Sequence, residues 1–470
     1  MIPSVEMMQT ARRASAAALL AAALAAPGAH GEDAPSPDRF RLFPEAKEKR
    51  FWLAAAEIGI LEFLPFAQNR FVKDEDYARI SIESIQKNFD AGFSFDNDKF
   101  TTNQLGHPIA GGLFFNAART NGYSFWESAP FVLAGSYFWE MFAETQGPSL
   151  NDLVNTTLGG ITLGEASYRL SQMILDDRAR GGARFAREAL AGLVNPTQLL
   201  TRVFTGEAWT VHSGRGEYVE PSRFVTYVDA GWRHYVSSRR SDPDQALFSA
   251  TVRYGDPFDR AVSRPFDFFD LGVDMSYPSS AWLTRVEIRG LLGSWNVDPG
   301  STGGRHVFGV FMDFDYTNND TRMLSSQSFR FGLLSLRSLG EGTELRGEAL
   351  GAVVPLAALK NDYLEESSGL VGRAYDYGPG AGVYTSIRIR RQELDLATLT
   401  YSVFWMHTSD GIGRNASLQS FRAEGRIPVA GPFSLGGSWS WGKRITTYDD
   451  YDTYRSDATQ WRAFATYMFR

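Results

Sequence analysis

The strongest constraint on this chain is a change of period. From about residue 222 onward, apolar and polar residues alternate every second position in segments of about ten residues. In "FDLGVDMSY", Phe269, Leu271, Val273, Met275 and Tyr277 alternate with Asp270, Gly272, Asp274 and Ser276. In "ATLTYSVFW", Leu399, Tyr401, Val403 and Trp405 oppose Thr398, Thr400, Ser402 and Phe404. Turn-rich pieces such as "TNNDTR", "SDGIGRN" and "YDDYD" separate the segments. About twelve are read, near 222–237, 244–257, 266–278, 281–294, 305–317, 325–337, 342–356, 379–391, 393–408, 416–428, 431–445 and 456–470.

Strands this long suit a tilted crossing of hydrocarbon. Aromatic residues gather near their ends, as an interfacial belt requires. The last segment, "WRAFATYMF", puts Trp461, Ala463, Ala465, Tyr467 and Phe469 on one face. It resembles the terminal aromatic strand by which bacterial outer-membrane barrels are recognised for assembly. Hydrocarbon cannot satisfy an open strand edge, so the sheet is expected to close. The expected fold is mainly β with an N-terminal α-helical unit: a transmembrane antiparallel β-barrel of about 12 strands, with helices plugging the lumen or capping the periplasmic side. A secreted soluble β protein is the alternative.

The N-terminus agrees with export. Arg12 and Arg13 precede an apolar run from Ala14 to Ala26, followed by small residues. Residues 1–31 read as a signal peptide and 32–49 as a linker. A helical unit is expected over 50–205 and the barrel over 206–470. The 47 basic and 54 acidic residues give a formal charge of -7, which offers nucleic acid no attraction. The absence of cysteine excludes disulfides and thiolate metal sites. The expected location is the outer membrane of a Gram-negative cell. The expected partners are outer-membrane lipid, lipopolysaccharide and the barrel-assembly machinery; the oligomeric state stays open.

The helical unit concentrates the polar chemistry. "FDNDKFTTNQLGHPIAGG" places Asp96, Asn97, Asp98, Asn103 and His107 ahead of a helix expected from about Pro108 to Asn121. A second helix is expected from an N-cap at Ser128; on it Ser136, Glu140 and Glu144 form one polar stripe at spacings of four. A third opens with "SLND", where Ser149 and Asp152 have capping-box spacing, and Asn151, Asn155 and Thr156 lie close by. Gly159, Gly160 and Gly164 thin one face of that helix for close contact. If the three helices converge, His107, Glu140 and Asp152 form a site for proton transfer or for a divalent metal, with the other named residues as a surrounding polar cluster. The structural readings are that Asp152 caps its helix, His107 bonds a backbone carbonyl, Glu165 and Arg169 form a surface ion pair, and Arg178, Arg180, Arg184 and Arg187 face periplasmic water.

Residues from about 50 to 205 resemble an uncharacterised bacterial family, a domain of unknown function found in outer-membrane proteins. The resemblance is carried by "FDNDKFTTNQLGHPIAGGLFFNAARTNG", "GSYFWEMFAE", "PSLNDLVNTTLGG" and "LGEASYRLS". It implies location and architecture and assigns no activity. The order His107, Glu140, then Asp152 with Asn155 and Gly159 on three successive helices is also similar to VanZ-like helical proteins, although an aspartate–lysine pair ahead of the histidine is missing. "DNDKFTTNQLGHP" is similar to the opening of outer-membrane lipid A deacylases, with Asn97, Asp98 and His107 as the residues compared; a helical unit follows here in place of a strand. Two functions are therefore expected from different classes. One is a barrel serving envelope organisation or small-solute passage. The other is an envelope enzyme modifying lipid A or another lipid through the His/Glu/Asp site.

Overall fold

The computed structural model describes residues 48–213, 221–238, 244–259, 264–297, 303–319, 322–364 and 373–469; the expected signal peptide and nearly all of the linker lie outside them. Period two becomes twelve strands among these residues: β1 (Phe224–Ser237), β2 (Gln245–Tyr254), β3 (Phe269–Tyr277), β4 (Leu283–Asn296), β5 (Arg305–Asn318) and β6 (Met323–Gly340). The second half is β7 (Thr343–Lys360), β8 (Tyr375–Arg391), β9 (Leu394–His407), β10 (Gly413–Ala430), β11 (Phe433–Tyr448) and β12 (Tyr454–Phe469). Each strand pairs antiparallel with its neighbours, and β1 closes on β12 from Thr226↔Phe469 to Ser237↔Ala458. All twelve expected segments are present, and every backbone edge is paired.

Side-chain alternation sorts the wall into two faces. Arg233, Arg253, Asp270, Asp274, Glu287, Arg289, Ser402 and Arg462 line an internal cavity of about 510 Å³. The alternate positions therefore point outward. On the free part of the wall these are Trp232, Leu333, Val383, Ile387, Leu399, Tyr401, Trp405, Leu435 and Trp461, all exposed. One end of the lumen is filled by Phe258, Phe268, Leu291, Phe311, Leu334 and Leu350, whose inward side chains pack into one apolar cluster. Those on β4–β7 give that end a dry core.

The helices are α1 (Phe51–Ala67), α2 (Ile82–Ala91), α3 (His107–Thr120), α4 (Phe125–Phe138), α5 (Leu150–Val154), α6 (Gly160–Ile174), α7 (Gly181–Val194) and α8 (Pro196–Phe204). They neither plug the lumen nor cap the barrel. Phe114, Phe115, Phe125, Ile161 and Ala166 pack with Ala250, Val252, Tyr254, Phe269, Ile288 and Met312, which are outward positions of β2–β5. Phe100 packs with Val286, Phe314, Tyr316, Tyr375 and Tyr377, again on the outer face. The helical unit thus lies along the outside of the wall. The physical reason is composition: the lumen is already occupied by charged pairs and an apolar cluster, whereas β2–β8 offer an apolar outer face that the helices bury.

Two anchors fix this arrangement. At one end Arg169 of α6 donates to Asp267 (3.0 Å) and to the Pro265 carbonyl (2.7 Å) of the β2–β3 connection, while holding Glu165 at 2.9 Å. Glu165 is fully buried and also takes Arg119, so the expected surface pair is an internal joint instead. At the other end Asn103 and Gln104 donate to the phenols of β8. Arg184 departs from expectation as well: it is buried and donates to the Ala208 carbonyl at 2.7 Å, stitching α7 to the chain beyond α8.

Candidate functional site

Three helical segments meet at the polar cluster, and each is locally underwound there. π-helical turns at Thr102–Gly106, Trp139–Ala143 and Asn155–Gly159 lead into α3, follow α4 and precede α6. Such one-turn bulges are rare and frequently sit at functional sites, because they turn a side chain out of the ordinary helical stripe. Here they carry or flank His107, Glu140, Asn155 and Thr156.

Close packing brings the segments together. An added Cβ at Gly111 of α3 would lie 1.9 Å from the Thr156 carbonyl oxygen, and one at Gly160 would lie 2.5 Å from Gly111 Cα. Only hydrogen at these two positions lets α3 and the 155–174 helix touch backbone to backbone. Gly159, Gly160 and Gly164 were expected to thin this face; the partner glycine on α3 was not identified.

The local caps explain which carboxylates are free. Ser124, not Ser128, caps α4, in a reciprocal box with Glu127. Ser149 caps α5 by accepting from the Asp152 N–H (3.3 Å), but the expected return bond comes from elsewhere: the Ser149 N–H donates to Glu140 Oε2 at 2.8 Å. Glu140 thereby ties α4 to α5, and the Asp152 carboxylate is left to face His107.

The imidazole joins two elements. Its Nδ1 lies 3.2 Å from Thr156 Oγ1 and its Nε2 lies 3.4 Å from Asp152 Oδ2. Ligating atoms of His107, Glu140 and Asp152 all fall within 4.8 Å of one another. The expected convergence of these three residues is present. Glu140 and Asp152 are buried, and His107 keeps about 20% of its side chain exposed, so it forms the opening of the site.

Around this centre the polar cluster is continuous. Asp96 Oδ1 accepts from Asn103 Nδ2 (2.6 Å) and Asn151 Nδ2 (2.9 Å), and Asn151 also donates to Asp152 Oδ1 (2.9 Å). Asn155 donates to the Asn103 carbonyl at 3.0 Å. Glu144 sits partly buried after the π turn, and Ser136 is buried one helical turn ahead of Glu140. Asn97 and Asp98 are exposed at the margin; Asp98 contributes its carbonyl, which accepts the Tyr375 hydroxyl at 2.6 Å. Three residues from the barrel were missed by sequence reasoning. Tyr375 and Tyr377 accept from Asn103 at 3.0 and 3.1 Å, and Arg373 donates to the Asp96 carbonyl. The available signal was the repeated tyrosine of "YDY" just before an expected strand.

Burial sets the protonation of the centre. It pulls the His107 imidazole down to about 4, against the pull of Asp96, so the ring is neutral at physiological pH. It pushes Glu140 up to about 7 and Glu144 up to about 9, the latter aided by the Glu140 charge. Asp152 is raised well above its ordinary value by burial and then by the nearby Asp96 and Glu140 charges. His107 and Asp152 thus meet as a neutral base and a carboxyl of raised proton affinity, placed to share one proton. That arrangement can take a proton from a hydroxyl group or water and return it to a leaving group.

Comparison with known proteins finds likenesses to parts of the chain. No curated protein matches the chain. Among solved structures, the barrel is similar to KdgM porin, at 9% identity over 52% of this chain and 99% of that one with a TM-score of 0.23. It is likewise similar to the outer membrane channel DcaP of Acinetobacter baumannii, at 11% identity over 53% and 96% of the two chains, with a TM-score of 0.20. The fold itself rests on the strand pairings. Residues 92–197, the stretch that builds the site, match a family model described as a domain of unknown function, DUF3943, and it is this domain that the barrel carries on its outer wall.

Proposed function

We propose that this chain is an outer-membrane enzyme whose barrel presents a lateral helical unit to the bilayer, and that its His107–Glu140–Asp152 centre acts on an outer-leaflet lipid. The observation that carries the reading is the position of the opening: the three side chains converge on the outer flank of the barrel, not in its lumen. The helical unit exposes Trp52, Phe63, Leu64, Trp126, Leu133 and Phe138, an apolar exterior that suits hydrocarbon. The tight turns at 341–342, 392–393 and 431–432 identify the periplasmic end, and the longer 361–374 connection belongs to the extracellular end. Tyr375, Tyr377 and Arg373 stand at that extracellular end, which supports a site near the outer-leaflet headgroups.

Solute passage draws less support. Arg–carboxylate pairs cross the lumen, and the apolar cluster around Phe311 fills its periplasmic end among the described residues. In the proposed chemistry Asp152 passes the shared proton to His107 Nε2 as its own carboxyl takes the proton of an attacking hydroxyl or water, and the reverse transfers return a proton to the leaving group. Ester and phosphoester bonds of lipids are the groups such a base can open.

The test compares outer-membrane lipids by mass spectrometry in a deletion strain complemented with wild type, His107→Ala or Trp461→Phe. The deletion should accumulate an unmodified lipid; wild type and Trp461→Phe should remove it, and His107→Ala should not. Restoration by His107→Ala, or an unchanged lipid profile in the deletion, overturns the reading.

A further inference from the structure

We infer that His107 Nε2, Asp152 Oδ2 and a Glu140 carboxylate oxygen bind one divalent transition-metal ion of the zinc type. This deepens the lipid-enzyme reading and rests on the same residues, with one change of role: a ring whose Nε2 holds the ion takes no proton, so the proton of the attacking water passes to a carboxylate of the cluster. It stands on separate observations.

The first is donor geometry. With Nδ1–H donating to Thr156 Oγ1, the Nε2 lone pair points toward Asp152 Oδ2 at 3.4 Å. Two lone pairs facing each other repel unless a proton or a cation lies between them. Fixing the second imidazole nitrogen by a hydrogen bond is how ligating histidines are ordinarily oriented. One nitrogen and two carboxylates in mutual reach suit zinc, and leave a position for water or substrate.

The second is charge. Asp96, Asp98, Glu140, Glu144 and Asp152 gather in one cluster, yet none forms an ion pair with lysine or arginine among the described residues. In the lumen, by contrast, buried carboxylates such as Asp274, Asp395 and Asp229 are matched by guanidinium groups. A divalent cation would supply the missing positive charge.

The third is unmet hydrogen bonding. Ser136 Oγ, Asn103 Oδ1 and Asn155 Oδ1 are buried on the converging segments without a partner. Waters held by a cation would give such acceptors the donors they lack. The full-time role of the ion would be to polarise a lipid carbonyl or phosphoryl oxygen and to lower the proton affinity of a bound water.

The experiment uses the full mature chain, purified in detergent, stripped with chelator and titrated with zinc chloride by calorimetry. One equivalent should bind, and Glu140→Gln and Asp152→Asn should each weaken binding by at least about tenfold, with Thr156→Val weakening it by a similar factor through the loss of ring orientation. Cobalt(II) added to the stripped wild-type protein gives a reading that needs no variant: d–d absorption of a low-symmetry N/O site, abolished by competing zinc. Less than a tenth of an equivalent of zinc with no cobalt band overturns the proposal, as does wild-type affinity in both carboxamide variants. If metal fails to bind while His107→Ala still abolishes the lipid change, the metal assignment falls and the lipid-enzyme reading stands.

Discussion

The lumen and the helical site are both rich in buried carboxylates, and they treat them in opposite ways. In the lumen Asp274 takes Arg462 at 2.8 Å and Arg285 at 3.6 Å, Asp395 takes Arg390 at 2.8 Å and Arg253 at 3.0 Å, and Asp229 takes Arg426 at 2.9 Å. In the helical site Asp152 has a neutral histidine at 3.4 Å and otherwise amides, hydroxyls and other acids. A carboxylate enclosed by guanidinium groups holds neighbouring strands in register. One enclosed by acids and a neutral imidazole adds nothing comparable to stability, which marks it as a candidate for binding or proton transfer.

The largest expected effect follows from removing an acid on each side of this divide. Asp274→Ala leaves the buried Arg462 without its carboxylate and the half-buried Arg285 with Glu287 alone, and should lower stability by about 3–5 kcal/mol. Asp152→Asn keeps shape and removes repulsion, so the metal-free protein should keep or gain stability. Urea unfolding in detergent micelles, followed by tryptophan fluorescence, reads both. Equal losses in the two variants would break the comparison.

A smaller effect should appear with pH on the helical side. Folding raises Glu140 to about 7 and Glu144 to about 9 from an ordinary 4.5, so the folded protein holds protons that the unfolded chain releases. Stability from these groups is therefore greatest at the acid end and is lost as pH rises through 7 and then 9. His107 works the other way, but only between its folded value near 4 and its ordinary 6.5. Above 6.5 the acids alone decide the slope. In metal-free protein, hydrogen exchange of α4 and α5 should accelerate from pH 6.5 to 9, and Glu144→Gln should flatten that rise. A flat profile in wild type would mean that the acids are already compensated.

The barrel was legible because period two is a local property that each strand repeats. Leu399, Tyr401 and Trp405 announce an outward face whatever surrounds them, and closure follows from the need to satisfy edges. The convergence of His107, Glu140 and Asp152 was also legible, because helical spacing and glycine placement restrict how three short helices can meet. Their side of the wall was not. Ala250, Val252, Ile288 and Phe314 are as apolar as lipid-facing residues, so nothing local distinguishes a face covered by helices from one covered by hydrocarbon. Ser325 and Gln327 break that face, buried at outward positions of β6, with Gly159 close to Gln327. Polar residues buried at outward positions were the available sign that protein lies there.

The glycine crossing provides the next test. Gly111→Ala drives a methyl group into the Thr156 carbonyl, which belongs to the π turn that orients His107. Overpacking of this kind should cost about 1–3 kcal/mol. It should also separate the two regions: limited proteolysis should cut within 92–197, while the heat-dependent gel mobility of the barrel stays as in wild type. Loss of the mobility shift as well would mean that the wall and the helices fold as one unit.

The smallest effect should come from Tyr377→Phe, and it sharpens the comparison most finely because Tyr377 belongs to the barrel and serves the helical site. Its hydroxyl accepts from Gln104 at 2.8 Å and from Asn103 at 3.1 Å, and both side chains are almost wholly buried. Asn103 retains Asp96 and Tyr375 as acceptors, so only the Gln104 amide is left without this bond. The loss should be about 1 kcal/mol, near the lower end for a buried donor left unpaired. Stability of the barrel should not register it, because the apolar contacts of the ring remain. Metal affinity and lipid modification should both fall by severalfold, because the 96–107 segment that presents His107 is then held by fewer bonds. If Tyr377→Phe instead lowers barrel stability and leaves both site readouts unchanged, the phenol is a wall residue, and the junction between wall and site lies elsewhere.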